Sequence, residues 1–105
     1  MLSKRARQDL NDIADYIANE LQNPHAAIEL IEDIEATLEK RLNTFPYAYP
    51  VHSFLESLGI EYRRTIIGNY TAFYKIIETK KDKMVNITYI VYGARDVEKI
   101  VIPNE

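Results

Sequence analysis

Between residues 44 and 60 the hydrophobic period of this chain changes, and that change limits what it can fold into. Before it, apolar residues recur every three or four positions, the period of a helix. After it, β-branched and aromatic residues crowd into short alternating runs, the pattern of strands. A chain that is helical first and extended later builds an α+β domain, with helices packed on an antiparallel sheet. Its 105 residues fit a single domain spanning 1–105, with room for one core.

Ser3 is a good N-cap, and Leu10, Ile13, Ala14, Ile17, Ala18 and Leu21 follow at helical spacing. This predicts a first helix from about Ser3 to about Leu21, with Asp9, Asp12, Asp15 and Glu20 between the apolar positions and facing water. In "NPHA", Asn23 can cap and Pro24 fits the first helical position. Ala27, Leu30, Ile31, Ile34, Leu38 and Leu42 form a second stripe. So short a break predicts an antiparallel helical hairpin over about 3–43. "FPYAYPVHSF" ends the helices, because two prolines among aromatics cannot continue one. Residues 44–59 then form a structured connector, with Phe45 plugging the helix end and "SFLESLG" making a helical turn that stops at Gly59.

The runs "IEYRRTII", "YTAFYKII" and "MVNITYIVY" predict a sheet over 60–92, with hairpins at "GN" and "ETKKDK". Strict alternation sets Val85, Ile87, Tyr89 and Val91 on one face. It sets Met84, Asn86, Thr88, Ile90 and Tyr92 on the other. The helical hairpin covers one face and leaves the other available. Residues 93–105 follow as a C-terminal tail.

Several function classes fall away. No apolar run approaches the length of a membrane span, and "MLSKRARQDL" has no apolar signal core, so a cytoplasmic protein with no membrane partner is expected. The absence of cysteine removes thiol and disulfide chemistry. With only His25 and His52, neither a metal site nor a cofactor is expected. There is no glycine-rich phosphate loop, and Ser3, Ser53 and Ser57 lack the context of an activated nucleophile. The net charge of −3 divides unevenly, −5 over residues 1–59 and +2 over residues 60–105. A general nucleic-acid footprint is therefore absent, while the second half can still carry a local basic face.

Taken in order, "SKRARQDLNDIADYI", "FP", "YRRTIIGNYTAFYKI" and "YGARD" resemble the RelE/ParE superfamily of toxins from bacterial type II toxin–antitoxin modules. The similarity runs from Ser3 to about Ile100. The long helical pair, the Phe45–Pro46 corner and "GNYTAFYKI" before a Gly-x-Arg-Asp element are closer to the ParE branch. The resemblance implies a helical hairpin on a three- or four-stranded antiparallel sheet, and a toxin of a plasmid-stabilisation module. For the ParE branch it implies growth inhibition by binding DNA gyrase, with no catalytic group on the toxin. For the RelE branch it implies a ribosome-dependent mRNA endoribonuclease. A third reading is an inactivated toxin that still binds antitoxin. Family members open with a strand before the first helix, whereas only Met1 and Leu2 precede it here. Either that strand is a stub, or the start is set late, or the sheet keeps an unpaired edge able to take up another chain.

A ribonuclease of the RelE kind must activate a ribose hydroxyl, neutralise the phosphate and protonate the leaving oxygen. The ribonuclease members carry an arginine directly after the tyrosine of a "GYR"-like turn, and Thr71 stands there. The tyrosine that the resemblance leads one to expect after the last arginine is replaced by "VEKIV". Arg63, Arg95 and Tyr92 remain as weak catalytic candidates, with Arg64 and His52 as further phosphate-binding or acid groups. Target or antitoxin binding is expected at Arg63, Arg64, Tyr74, Tyr92, Arg95 and Asp96. Each has a plainer structural reading. Strand arginines are commonly solvated or ion-paired, aromatic stripes on sheets are commonly core, and Asp96 can cap a turn or pair with an arginine. The resemblance implies a cognate antitoxin whose commonly acidic C-terminal segment wraps the toxin as a helix or an added strand. It leaves open gyrase or ribosome as target, and a homodimer or a toxin–antitoxin hetero-oligomer as the assembly.

Overall fold

A computed structural model describes residues 2–51, 56–59 and 61–92. Helix α1 spans Lys4–Asp15, continues as a π-helical turn over Tyr16–Glu20, and is followed by α2 over Pro24–Thr44. Strands β1 (Arg63–Ile67), β2 (Tyr70–Glu78) and β3 (Lys83–Tyr92) make an antiparallel sheet in the order β1-β2-β3. Two helices packed on a three-stranded sheet are the α+β architecture expected from the change of period.

The helix starts form as the capping residues dictate. Ser3 Oγ accepts from the Ala6 amide at 3.0 Å, and Asn23 Oδ1 accepts from the Ala26 amide at 3.1 Å, with Pro24 in the first turn. Each cap satisfies an amide that would otherwise lack a helical partner. Ala6 and Leu10 from α1 and Ile34, Leu38 and Leu42 from α2 pack with Ala72, Tyr74, Ile87 and Ile90 of the sheet in one core. At roughly 1.5–3 kcal/mol for each large apolar side chain, this contact is what makes the helical hairpin stable. The first helix differs from expectation in its last turn, where the backbone widens into the π form. Gln22 then takes φ +51°, a left-handed value that reverses the chain before Asn23.

β3 departs from strict alternation. Phe73 pairs with Tyr89 and Tyr74 with Ile87, so Thr88 is an extra residue in a bulge. The bulge switches the faces, putting Ile90 on the helix side with Ile87 and turning Tyr89 to the opposite side. That second face is not bare, since Tyr62, Phe73 and Tyr89 are all buried.

The bulge also meets the start of the chain. The Ser3 amide donates to Ile87 O at 2.9 Å, and Ser3 Oγ donates to Thr88 O at 2.9 Å. Leu2 makes a single parallel bridge to Ile87. Asp9, expected to face water, instead accepts from the Ile90 amide through Oδ2 at 2.9 Å and from Arg5 Nε through Oδ1 at 2.9 Å. The outer edge of β3 is thus met by Leu2, Ser3 and the first turns of α1. On the far edge, Val51 bridges Arg63 of β1. Phe45 does not plug the helix end, because the residue is 67% exposed. Its backbone does that work, with the Phe45 amide donating to Arg41 O at 2.9 Å.

Candidate functional site

The connector after α2 is held by side chains of the sheet. Arg63 and Tyr74 are cross-strand partners on the helix-facing side of β1 and β2. Arg63 Nη1 donates to Tyr49 O at 2.8 Å, and its guanidinium lies 5.2 Å from the centre of the Tyr47 ring. Lys83 Nζ lies 5.0 Å from the same ring. The Tyr74 hydroxyl donates to Pro46 O at 2.6 Å from a side chain that is fully buried. Its pKa is pushed up to about 12, because loss of solvent disfavours the phenolate more than nearby Arg63 favours it. Both candidates therefore hold the connector in place.

Arg64, the next residue, points to the other side of β1. Its backbone amide donates to Pro50 O at 3.1 Å, while its side chain makes no hydrogen bond or ion pair among the described residues. Beside it, Arg41 from the last turn of α2 reaches the same strand. Arg41 Nη1 donates to Thr65 Oγ1 at 2.9 Å and to Ile66 O at 2.6 Å. Arg41, Arg64, Tyr49 and Pro50 line an open groove of about 360 Å³ along this edge. Nothing in the sequence singled out Arg41, which reads as an ordinary basic residue near a helix C-terminus.

Tyr92 lies toward the opposite end of the sheet from Tyr74. It pairs with Tyr70 across β2 and β3, with ring centres 5.5 Å apart and nearly perpendicular. Tyr92 is 66% exposed, and burial together with the neighbouring Tyr92 raises the Tyr70 pKa. The two tyrosines, Ile13, Tyr16, Ile17 and Leu21 line a mainly apolar groove of about 600 Å³. The π turn contributes here by presenting Tyr16 and Ile17 to the groove, and Leu21 follows it directly. Tyr89 faces the other side of the sheet, so the tyrosines do not form one stripe.

The candidates thus divide into a connector clamp (Arg63, Tyr74), an edge (Arg64) and an apolar groove (Tyr92). Among the described residues they do not converge on one point, as the acid, base and phosphate-binding groups of a hydrolytic site must. Thr71 is 2% exposed, so no phosphate reaches that position. His52, Arg95 and Asp96 lie outside the described residues, as does the Gly-x-Arg-Asp element itself. Among the described residues no cluster of His, Asp or Glu is placed to hold a metal ion, and no helix is long and apolar enough to cross a membrane. No curated protein matches the chain. Residues 1–97 match the family described as the ParE toxin of the type II toxin–antitoxin system, parDE.

Proposed function

The chain belongs to the ParE family of type II toxin–antitoxin toxins, and from that premise we propose that it arrests growth by binding DNA gyrase and is neutralised by a cognate antitoxin. Such a module stabilises the plasmid or chromosomal segment that carries it. The observation that carries a binding toxin over an RNA-cleaving one is buried Thr71, standing where the ribonuclease branch presents an arginine. Without a cation at that point, the charge developing on a scissile phosphate has no partner there. Two features support recognition by contact, half-buried Arg64, whose side chain makes no hydrogen bond or ion pair among the described residues, and the aromatic groove around Tyr92. Arg95 and Asp96 complete the proposed binding set, with Arg63 and Tyr74 acting from behind the connector.

The test is induction of the chain alone in bacteria, followed by two assays on arrested cells and purified protein. The expected outcome is growth arrest, loss of gyrase supercoiling activity, and relief of both by the antitoxin. Codon-phased cuts in translated messages would overturn the reading in favour of the ribonuclease. Unimpaired growth would leave a folded relative that no longer poisons. Arg95→Ala is expected to abolish target or antitoxin binding while leaving the melting temperature nearly unchanged. A fall in stability of about 3 kcal/mol or more would instead mark Arg95 as half of a buried ion pair.

A further inference from the structure

The groove between the end of α1 and the sheet carries more than apolar surface. Three tyrosines reach it from separate elements, Tyr16 from the π turn, Tyr70 from β2 and Tyr92 from β3. Their closeness is felt at Tyr70, whose pKa is raised by burial first, and then by Tyr92 and Tyr16. Among the described residues, Asp12 is the one charged group that lines the groove. Its Oδ1 accepts from Gln8 Nε2 at 2.8 Å, and its carboxylate makes no ion pair among the described residues. Arg5 interacts with Asp12 only at longer range, because its guanidinium is paired with Asp9 at 2.9 Å. From residue 8 to residue 21 the charged residues, Asp9, Asp12, Asp15 and Glu20, are all acidic.

We propose that this groove binds a small organic cation, an alkylammonium whose charged head lies against the tyrosines and the Asp12 carboxylate while its alkyl chain lies along Ile13, Ile17 and Leu21. The face of a phenol ring carries negative charge density and attracts a cation that has shed part of its water. A carboxylate beside such rings adds to the attraction and turns anions away. The apolar wall takes the chain, and a groove of about 600 Å³ is of the size that small ligands fill. Apolar contact thus supplies affinity, and the rings with Asp12 supply the choice of charge. The same charges decide against a second copy of this chain as occupant. Joining two such grooves sets two Asp12 carboxylates and two acidic stretches of α1 together with no cation between them. Neither gyrase nor antitoxin enters into this recognition.

The test is titration of the purified full chain, at fixed ionic strength, with probes that share one alkyl chain and differ in charge: hexyltrimethylammonium, 1-hexanol and hexanoate. Binding is read by NMR at the ring resonances of Tyr70 and Tyr92. Hexyltrimethylammonium is expected to shift them saturably and to bind at least about threefold more tightly than hexanol, with hexanoate weakest. Asp12→Asn keeps an acceptor for Gln8, so it is expected to melt as the parent does. It is expected to lose about threefold in affinity for the cation and nothing for hexanol. Tyr92→Leu keeps an apolar wall without the ring, and is expected to bring the cation down to the level of hexanol. No binding by the cation, equal binding of cation and hexanol, or cation binding untouched by both variants would each overturn the proposal. Ring resonances that move with protein concentration alone would put a second copy in the groove and overturn it as well. Because neither growth nor gyrase activity is read, loss of the function proposed above leaves this result standing, and the converse holds too.

Discussion

Tyr74 and Asp9 show how single polar atoms fix the larger pieces of this protein. The Tyr74 hydroxyl is buried against Pro46 O, so Tyr74→Phe leaves that carbonyl without its donor and is expected to cost about 1–2 kcal/mol in urea unfolding. The folded pKa of Tyr74 is raised from 10.0 to about 12, so the folded state holds this proton more tightly than the unfolded state. The stability it contributes is fully present below pH about 10 and is lost as pH rises toward about 12. Melting curves of the parent and Tyr74→Phe should therefore converge over that range, and a constant gap would contradict the assignment. Asp9→Ala strips an acceptor from the Ile90 amide and a partner from Arg5, and is expected to cost about 2 kcal/mol, with Asp9→Asn losing less. Spacing alone set Asp9 on the wet side of α1. Its role depends on where β3 passes, a tertiary fact without local signature. The same limit hid Arg41, and it left Arg63 and Tyr74 readable as binding residues when their nearest duties are structural.

At the scale of elements, the caps, the helical hairpin and the three strands were legible because each has a local physical cause. Ser3, Asn23 and Pro24 mark helix starts by chemistry that acts within one turn. The bulge at Thr88 was not legible, because "MVNITYIV" alternates well enough to read as a regular strand and the extra residue is set by pairing with β2 and docking of Ser3. Two turns carry predictions. Gly68 has φ +58° as the first residue of the β1–β2 turn, and an added Cβ meets no atom within 4 Å. Gly68→Ala is thus a test of backbone strain alone, expected to destabilise by roughly 1–2 kcal/mol in thermal or urea unfolding. Gln22, exposed at φ +51° after the π turn, is the converse case. Gln22→Gly is expected to stabilise by about 0.5 kcal/mol, because relief of left-handed strain exceeds the added freedom of the unfolded chain. No gain on that substitution would mean that the junction between α1 and α2 relaxes around Gln22 without strain.

Across the whole molecule, the sheet is closed by unlike means at its two edges. On β3, Leu2, Ser3 and Asp9 satisfy outward backbone groups with neutral and acidic residues of the chain start and α1. On β1, Arg41 does the corresponding work at Ile66 with a cation, beside Arg64, whose side chain has no hydrogen bond or ion pair among the described residues. The β1 edge thus draws one cation from each side of the division of formal charge, Arg41 from the −5 before residue 60 and Arg64 from the +2 after it. For the proposed antitoxin, an acidic segment is expected to be repelled by the helical hairpin and drawn to the sheet. The attraction acts over about 8–10 Å at ordinary ionic strength and is screened beyond that. Steering of this kind sets the rate of encounter more than the lifetime of the complex. The association rate of toxin and antitoxin is therefore expected to fall several-fold as salt is raised from about 0.05 to 0.5 M, with a much smaller change in dissociation. Stopped-flow measurement over that range checks it. Arg64→Glu should flatten the salt dependence of association if the edge is where attraction is felt. An unchanged salt slope in that variant would move the electrostatic contact to another part of the basic second half.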